Sequence, residues 1–286
     1  MKVGLLARSD KPQAAPIVRA VREALAARGA RVLSELRTAA LLDGGEQGVG
    51  EDVLASECDI VVILGGDGTI LRALHRMRGR IPPIFGINLG SLGFLTGVSS
   101  EDWPRAVESI AAGDYRLSAR TLLQVGVEND GRVAETFVGL NDAVVSRGHH
   151  SQLIKIEVRV DGEDLCVYNA DGLIVATPTG STAYSMSAGG PVLLPDSAAL
   201  VLTPICPHVL TNRSAVISDR AQLDLRLVGD PHGVTVNVDG QETRTIASGD
   251  VLRISRSEEV LQLATLPGRT FSDVLREKLK WSGSNV

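Results

Sequence analysis

The first 118 residues alternate short apolar runs with stretches in which apolar residues recur at helical spacing. This pattern predicts strands at 3–7, 30–36, 59–64 and 83–87, and helices at 11–28, 51–56, 69–77 and 101–112. In the first of these helices Ile17, Val18, Val21 and Leu25 share one stripe, and Gly29 is a typical helix stop. Strands separated by helices pair in parallel through right-handed crossovers. This half therefore predicts an α/β domain, residues 1–118, with an open parallel sheet.

From about residue 119 the hydrophobic period changes to that of strands. Apolar and polar residues alternate at 154–160, 222–227 and 234–238. Such alternation is typical of antiparallel strands that bury one face, so we predict an antiparallel, sandwich-like β-rich domain at 119–267. A last helical stretch, at about 268–286, is expected to pack back on the α/β domain.

The most informative stretch follows the apolar run 59–64, where Gly65, Gly66, Asp67, Gly68 and Thr69 lead into a helix that Thr69 can cap. A glycine turn between a buried strand and a helix points N–H groups at one spot, a geometry that suits phosphate. Asp67 would repel phosphate, so its carboxylate makes sense there if it handles a proton or a cation. The spacing fits neither G-x-G-x-x-G nor G-x-x-x-x-G-K-[ST]. A plain strand–turn–helix corner, with Asp67 as a solvated turn residue, accounts for the same residues.

Three further clusters carry candidate chemistry. Residues 86–95 form a strand end and a glycine-punctuated loop, and Asn141 and Asp142 precede an apolar strand. Residues 171–191 run from a strand through a Pro/Gly turn into a helix start rich in Ser and Thr. An N-capped helix explains some of these hydroxyls. The five between Thr177 and Ser185 exceed what one cap needs, which favours a ligand-facing surface.

Composition excludes several classes of function. A net charge of −5 and an aromatic content of 3% argue against a nucleic-acid partner, which needs a basic face or stacking side chains. No apolar run approaches the roughly 18 residues of a membrane span, and the apolar start is too short for a signal peptide. We therefore expect a cytoplasmic protein with no membrane partner. The histidines and cysteines lack metal-ligand spacing, so no metal ligands are predicted.

Taken in order, the motifs GGDGT, GxNxGxLGF, an N-[DE] pair and DGxxxxTPTGSTAYxxSxGGP resemble those of the NAD kinase family. The resemblance extends from Gly65 to Gln241. It implies an N-terminal α/β domain, a C-terminal β domain, and transfer of a phosphoryl group from ATP, or from polyphosphate in some members, to the adenosine 2′-hydroxyl of NAD. It also implies Mg²⁺ carried with ATP, and a homodimer or homotetramer.

The resemblance assigns roles to individual residues. Gly65, Gly66, Gly68 and Thr69 would lie against phosphates, with Asp67 as the base that receives the 2′-hydroxyl proton. Arg72 would neutralise donor or pyrophosphate charge, Asn141 would read the adenine edge, and Asp142 would accept from ribose hydroxyls. The other residues implied to contact NAD are Phe94, Asn169, Asp171, Thr179, Thr182, Ala183, Tyr184, Ser185, Met186, Ser187 and Gln241.

Some choices stay open on sequence alone. Some family members carry arginine at the position of Asn169 and are thought to prefer oxidised NAD, so reduced NAD is a possible substrate here. A lipid kinase or a phosphofructokinase would share the GGDG loop, but not the TPTGSTAY segment. A non-enzymatic NAD-sensing module would have no need of a carboxylate at Asp67. The sequence does not choose between ATP and polyphosphate as the donor.

Overall fold

The computed structural model describes residues 1–42, 45, 47–77, 81–129, 131–148, 152–209, 211–229 and 232–281. The chain divides into two compact units. The first comprises Met1–Ala119 and Leu261–Val286, and the second comprises Arg120–Val260.

The first unit begins with a series of strands and helices. They are β1 (Lys2–Ala7), α1 (Ala14–Ala27), β2 (Arg31–Ser34), α2 (Leu36–Ala39), α3 (Glu51–Glu57), β3 (Ile60–Gly65), α4 (Asp67–Arg76), β4 (Ile84–Asn88), β5 (Val98–Ser99) and α5 (Trp103–Ala112).

The strands of the second unit follow. They are β6 (Arg116–Asn129), which begins in the first unit, then β7 (Arg132–Gly139), β8 (Asp142–Ser146), β9 (Ile154–Val160), β10 (Glu163–Ala170), β11 (Gly172–Ala176), β12 (Ala199–Ile205), β13 (Ala215–Ser218), β14 (Leu223–Val228), β15 (Thr235–Val238) and β16 (Glu242–Thr245). A short helix, α6 (Tyr184–Ser187), lies between β11 and β12. The last two elements among the described residues are β17 (Val251–Thr265), which runs through both units, and α7 (Phe271–Leu279).

The sheet of the first unit is parallel. Its order is β4-β3-β1-β2, and the end of β17 pairs in parallel with β4 through Leu263 and Ala264. All six residues of β3 are buried, as expected for a strand covered on both faces. The predicted open parallel sheet is confirmed.

The second unit is antiparallel. One sheet has the order β13-β12-β11-β8-β15-β16, and β10, β9, β14 and the start of β17 pair antiparallel in the other. Val145 and Val175 from the first of these sheets share one apolar core with Ile156, Leu223 and Ile254 from the second. Two sheets that face one core form a sandwich-like arrangement, so the predicted fold class of this half is confirmed.

The functional loops of the first unit follow its central strands. Gly65 at the end of β3 is in register with Asn88 at the end of β4, and the N–H of Leu89 donates to the Gly65 carbonyl at 3.1 Å. Parallel strands present their carboxyl ends at one edge of the sheet, where α/β proteins bind ligands. The glycine loops after β3 and β4 therefore meet at that edge.

Two local predictions are corrected. Helix α4 begins at Asp67 rather than Thr69, and its N-cap is Gly66. Thr69 lies inside the first turn, where its Oγ1 accepts the Gly66 N–H at 3.4 Å. The strand predicted to reach residue 36 ends at Ser34, because the buried carboxylate of Glu35 caps the short helix α2.

At the C-terminus, the predicted helix over 268–286 is observed at Phe271–Leu279, and residues 282–286 lie outside the described part of the chain. Among the described residues, no helix combines the length and apolarity that a membrane crossing requires.

Candidate active site

Asp67 is held by the loop that follows β4. Its Oδ2 accepts the backbone N–H of Phe94 at 2.8 Å, and its Oδ1 accepts those of Leu95 and Thr96, each at 3.1 Å. The Thr96 hydroxyl donates to the same Oδ1 at 3.2 Å. Four donors fix both carboxylate oxygens, so Asp67 is an oriented, half-buried anion rather than a freely solvated turn residue.

Glycines around Asp67 have two different functions. A Cβ at Gly93 would overlap Asp67 Oδ1, so only glycine lets the loop approach the carboxylate this closely. At Gly66 and Gly68, no heavy atom of the described residues lies within 4 Å of an added Cβ. Packing therefore does not require glycine at these two positions. The open space lies beside the first N–H groups of α4, and a phosphate could occupy it.

The side chain of Phe94 packs against the C-terminal helix. Its ring centroid lies 6.2 Å from that of Phe271, with the planes inclined by 37°. Lys278 Nζ lies 5.7 Å from the Phe94 centroid. Both separations are within the range of aromatic-pair and cation–π attraction. Helix α7 thus supports the loop whose N–H groups hold Asp67.

A cavity of about 240 Å³ adjoins the first turn of α4. One wall is a stripe of α4, in which Thr69, Arg72, Ala73 and Arg76 follow at helical spacing. The other charged residues that line it are Arg8, Asp10, Glu35, Arg37 and Glu51.

Some of the guanidinium groups in this arginine-lined cavity form ion pairs with other described residues, and two do not. Arg8 pairs with Asp10 at 2.8 Å, and Arg76 pairs with Glu51 at 3.1 Å. The Glu35 oxygens instead accept the backbone N–H groups that they cap. Within the described residues, neither Arg37 nor Arg72 has an ion-pair partner. These two exposed cations are available to an anionic ligand.

In the second unit, Asn141 and Asp142 stand at the head of β8. Asp142 is buried, and its burial and the nearby negative charge of Asp239 raise the pKa of its carboxyl to about 7. The side-chain amide of Asn141 makes no hydrogen bond to the described residues. Its donor and acceptor are therefore free for a ligand such as the edge of an adenine ring.

Hydroxyl groups between residues 177 and 185 mostly bond within the protein. Ser181 Oγ donates to the Pro178 carbonyl at 2.6 Å and accepts the Leu193 N–H at 2.9 Å. Ser185 Oγ lies 2.8 Å from Thr203 Oγ1, and neither residue is exposed. Most of these hydroxyls therefore form hydrogen bonds within the protein and do not face a ligand surface.

Thr179 is different from these neighbours. Its Oγ1 is buried without a hydrogen-bond partner in the described part of the chain. A buried hydroxyl that lacks a partner costs free energy, which makes Thr179 a candidate for a hydrogen bond to a ligand. The hydroxyl of Thr182 donates to the Thr179 carbonyl at 3.2 Å, whereas Tyr184 and Ser187 are exposed at α6. Ala183 and Met186 of the same segment are partly exposed.

Asp171 is paired with a residue that the sequence did not single out. Arg147 Nε donates to Asp171 Oδ1 at 2.7 Å, and both side chains are 30% exposed. Asn169, two residues earlier on β10, accepts the His208 N–H through its carbonyl at 2.8 Å. Gln241 is exposed beside the turn that carries Asp239.

Sequence reasoning missed two groups of residues in these sites. Asp239, Phe271 and Arg147 act through contacts with residues distant in the sequence, and no local motif marks them. The arginines that follow β1 and β2 belong to separate elements, and only folding brings them into one cavity with Arg72.

Comparison with protein families gives matches to both halves of the chain. The ATP-NAD kinase N-terminal domain matches residues 3–115, and the ATP-NAD kinase C-terminal domain matches residues 140–266. The NAD kinase of Symbiobacterium thermophilum is 41% identical over 278 residues, covering 97% of this chain and 98% of the relative. That of Solibacter usitatus is 40% identical over 278 residues, covering 97% and 96%.

Solved structures with a similar fold include two kinases. The yeast NADH kinase complexed with NADH aligns with a TM-score of 0.87 at 24% identity, covering 100% of this chain and 88% of that one. An NAD kinase from Archaeoglobus fulgidus in complex with ATP aligns with a TM-score of 0.78 at 27% identity, covering 99% and 100%. With full-length relatives at about 40% identity and both domains matched, the chain belongs to the NAD kinase family.

Proposed function

We propose that this enzyme transfers the γ-phosphoryl group of ATP to the adenosine 2′-hydroxyl of NAD, with Asp67 as the proton acceptor. The 2′-oxygen forms a bond to the γ-phosphorus, and the bond from that phosphorus to the bridging oxygen breaks, so that ADP leaves. The hydroxyl proton passes to the carboxylate of Asp67. Family membership supports the reaction, and the fixed orientation of Asp67 is the single observation that carries its role.

The orientation of Asp67 suits late proton transfer. Phosphoryl transfer proceeds through a loose transition state, in which the attacking hydroxyl keeps its proton until bonding to phosphorus has begun. A carboxylate is a weak base for an alcohol, and it becomes effective only as the proton turns acidic. A carboxylate held by four donors is already positioned and needs no reorientation at that moment.

The arginine-lined cavity supports a donor site for the triphosphate. It adjoins the first turn of α4, and its two unpaired guanidinium groups, Arg37 and Arg72, can each form charge-assisted bonds to phosphate oxygens. Mg²⁺ would enter with ATP and screen the charge of Asp67. We assign the ion to the nucleotide, because Mg²⁺ is usually bound through substrate phosphates. A linear polyphosphate offers the same phosphate chemistry and is the alternative donor.

Acceptor recognition is assigned to residues of the second unit. Asn141 offers a free amide for the adenine edge, ionised Asp142 accepts from ribose hydroxyls, and Thr179 offers an unpaired hydroxyl. The pair of Asp171 and Arg147 presents an acceptor and a donor for the polar groups of the dinucleotide. Tyr184, Ser187 and Gln241 are exposed and can reach a ligand.

We also propose a homo-oligomer, either a dimer or a tetramer, which size-exclusion chromatography with light scattering would identify.

The reaction is tested by incubating the purified protein with ATP, Mg²⁺ and NAD and detecting NADP with an NADP-specific dehydrogenase. Parallel reactions replace ATP with polyphosphate, or omit Mg²⁺. We expect NADP formation that depends on both Mg²⁺ and the donor. Tight binding of NAD without NADP formation from either donor would instead favour a non-enzymatic NAD-sensing protein.

A further inference from the structure

The carboxylate of Asp239 accepts hydrogen bonds from three successive backbone N–H groups. Its Oδ2 accepts from Leu140 at 2.7 Å, and its Oδ1 accepts from Asn141 at 2.7 Å and Asp142 at 3.1 Å. The N–H of Asp239 also donates to the Asp142 carbonyl at 3.0 Å. Asp239 is only 6% exposed, so these bonds form away from water, where charge-assisted bonds to backbone are strong.

The position of this carboxylate is set by a tight turn between β15 and β16. Asp239 and Gly240 have φ values of 54° and 68°, and the Gln241 N–H donates to the Val238 carbonyl at 2.9 Å. Two successive residues with positive φ are typical of a type I′ hairpin turn, for which Asp-Gly is a preferred pair. Asn237 Oδ1 accepts the Gly240 N–H at 2.7 Å and braces the turn.

On its carbonyl side, the same segment is bonded to Thr177. The Thr177 hydroxyl donates to the Leu140 carbonyl at 2.6 Å, and its N–H donates to the Asn141 carbonyl at 2.9 Å. A Cβ at Gly180 would overlap the Asn141 carbonyl oxygen, so the turn after β11 packs directly on this backbone. Asp239 and Thr177 therefore hold the segment through its N–H and its carbonyl groups respectively.

We propose that Asp239 is a positioning residue for the acceptor dinucleotide, because it fixes the backbone from which Asn141 and Asp142 extend. This inference rests on the proposed function, in which those two side chains contact NAD. Asp239 need not touch NAD itself. Its charge has a second effect, because among the described residues it is the charged group that raises the pKa of Asp142.

The test compares Asp239→Asn with wild type for the KM of NAD, the KM of ATP and kcat. Asparagine keeps the shape but loses the charge, and its amide nitrogen cannot accept an N–H. We expect the KM of NAD to rise about tenfold or more, the scale for losing bonds to a buried charged group. The KM of ATP and kcat should change by less than about threefold.

A pH series separates positioning from a general loss of structure. In wild type, the KM of NAD should fall as pH rises and Asp142 ionises, with a midpoint near pH 7. In Asp239→Asn, the midpoint of this fall should move to lower pH. The matched control is Asp250→Asn. Asp250 is also 6% exposed and accepts from the Ala247 N–H and from Asn129, but it does not bond to the Asn141 segment. This control should keep both the KM and the midpoint of wild type.

A second variant keeps the inference testable if Asp239→Asn does not fold. Thr177→Val removes the hydroxyl that holds the Leu140 carbonyl, and it should raise the KM of NAD in the same direction. If the wild type phosphorylates NAD but every variant that folds keeps the wild-type KM of NAD, Asp239 has no positioning role. If the wild type itself forms no NADP, the proposed function fails, and that outcome is distinct.

Discussion

Asp67 and Phe94 are joined by a hydrogen bond of 2.8 Å from the Phe94 N–H to the Asp67 carboxylate. The bond links the first residue of α4 to the loop after β4. Because the Phe94 ring packs on Phe271 and beneath Lys278, it also connects the proposed proton acceptor to the C-terminal helix. The orientation of one carboxylate thus depends on three separated segments of the chain.

Removing the aromatic ring of Phe271 should weaken the support of Phe94. An aromatic pair contributes about 0.5–1.5 kcal/mol, so Phe271→Ala, which loosens the loop that orients Asp67, should lower kcat by roughly two- to tenfold. Ser272→Ala, on the same helix and exposed, is the control and should behave like wild type. Steady-state kinetics measure both. An unchanged kcat in Phe271→Ala, with the protein folded, would show that α7 does not act on the site.

Arg72→Ala should weaken the donor without affecting the acceptor. Loss of one charge-assisted contact to phosphate should raise the KM of ATP about tenfold. Arg105→Ala is the matched control, because Arg105 is an exposed arginine of α5 that does not line the cavity. A rise in the KM of NAD at constant KM of ATP would assign Arg72 to the NAD pyrophosphate instead.

Asp142 should make stability depend on pH. Its folded-state pKa of about 7 is above the ordinary value of 3.8, so protonation favours the folded state. This contribution is complete below the ordinary pKa and is lost as pH rises to about 7. Asp142→Asn, which cannot ionise, should therefore gain stability relative to wild type as pH rises through this window. Urea midpoints for both proteins at several pH values measure the gain, and a stability difference that stays constant with pH would contradict it.

Asn169 is expected to permit phosphorylation of NADH at a rate below that of NAD. The expectation comes from the family resemblance, in which arginine at this position accompanies preference for oxidised NAD. Charge alone does not explain that preference, since a guanidinium would repel the cationic ring, so shape must contribute. The ratio of specificity constants for NAD and NADH in wild type and in Asn169→Arg is the measurement. If wild type rejects NADH as strongly as the variant does, residue 169 is not the selector.

Local patterns were sufficient to predict the corner that carries Asp67. A buried strand, three glycines and an amphipathic helix are contiguous, so the sequence itself contains what determines their geometry. The start of α4 was less predictable, because Thr69 has a cap-forming side chain but bonds back to Gly66 from within the first turn. The short helix α2 was not predicted, because it depends on the buried carboxylate of Glu35.

Long-range contacts account for what sequence reasoning could not supply. Asp239 is separated from the three residues that it holds by 97 to 99 positions. The hydroxyls of Ser181 and Ser185 looked ligand-facing because composition does not reveal their partners Leu193 and Thr203. Burial and partner identity depend on the whole fold, and they decide which polar groups remain free for a ligand.

The most direct test measures NAD affinity and turnover side by side in Asp67→Asn. If Asp67 accepts the 2′-hydroxyl proton, turnover should fall by roughly 100-fold or more, while the Kd of NAD, measured by calorimetry, stays within about threefold of wild type. Turnover equal to that of wild type would contradict the account. A parallel loss of NAD binding and turnover would also contradict it, because Asp67 would then act only as the anchor of the 94–96 loop.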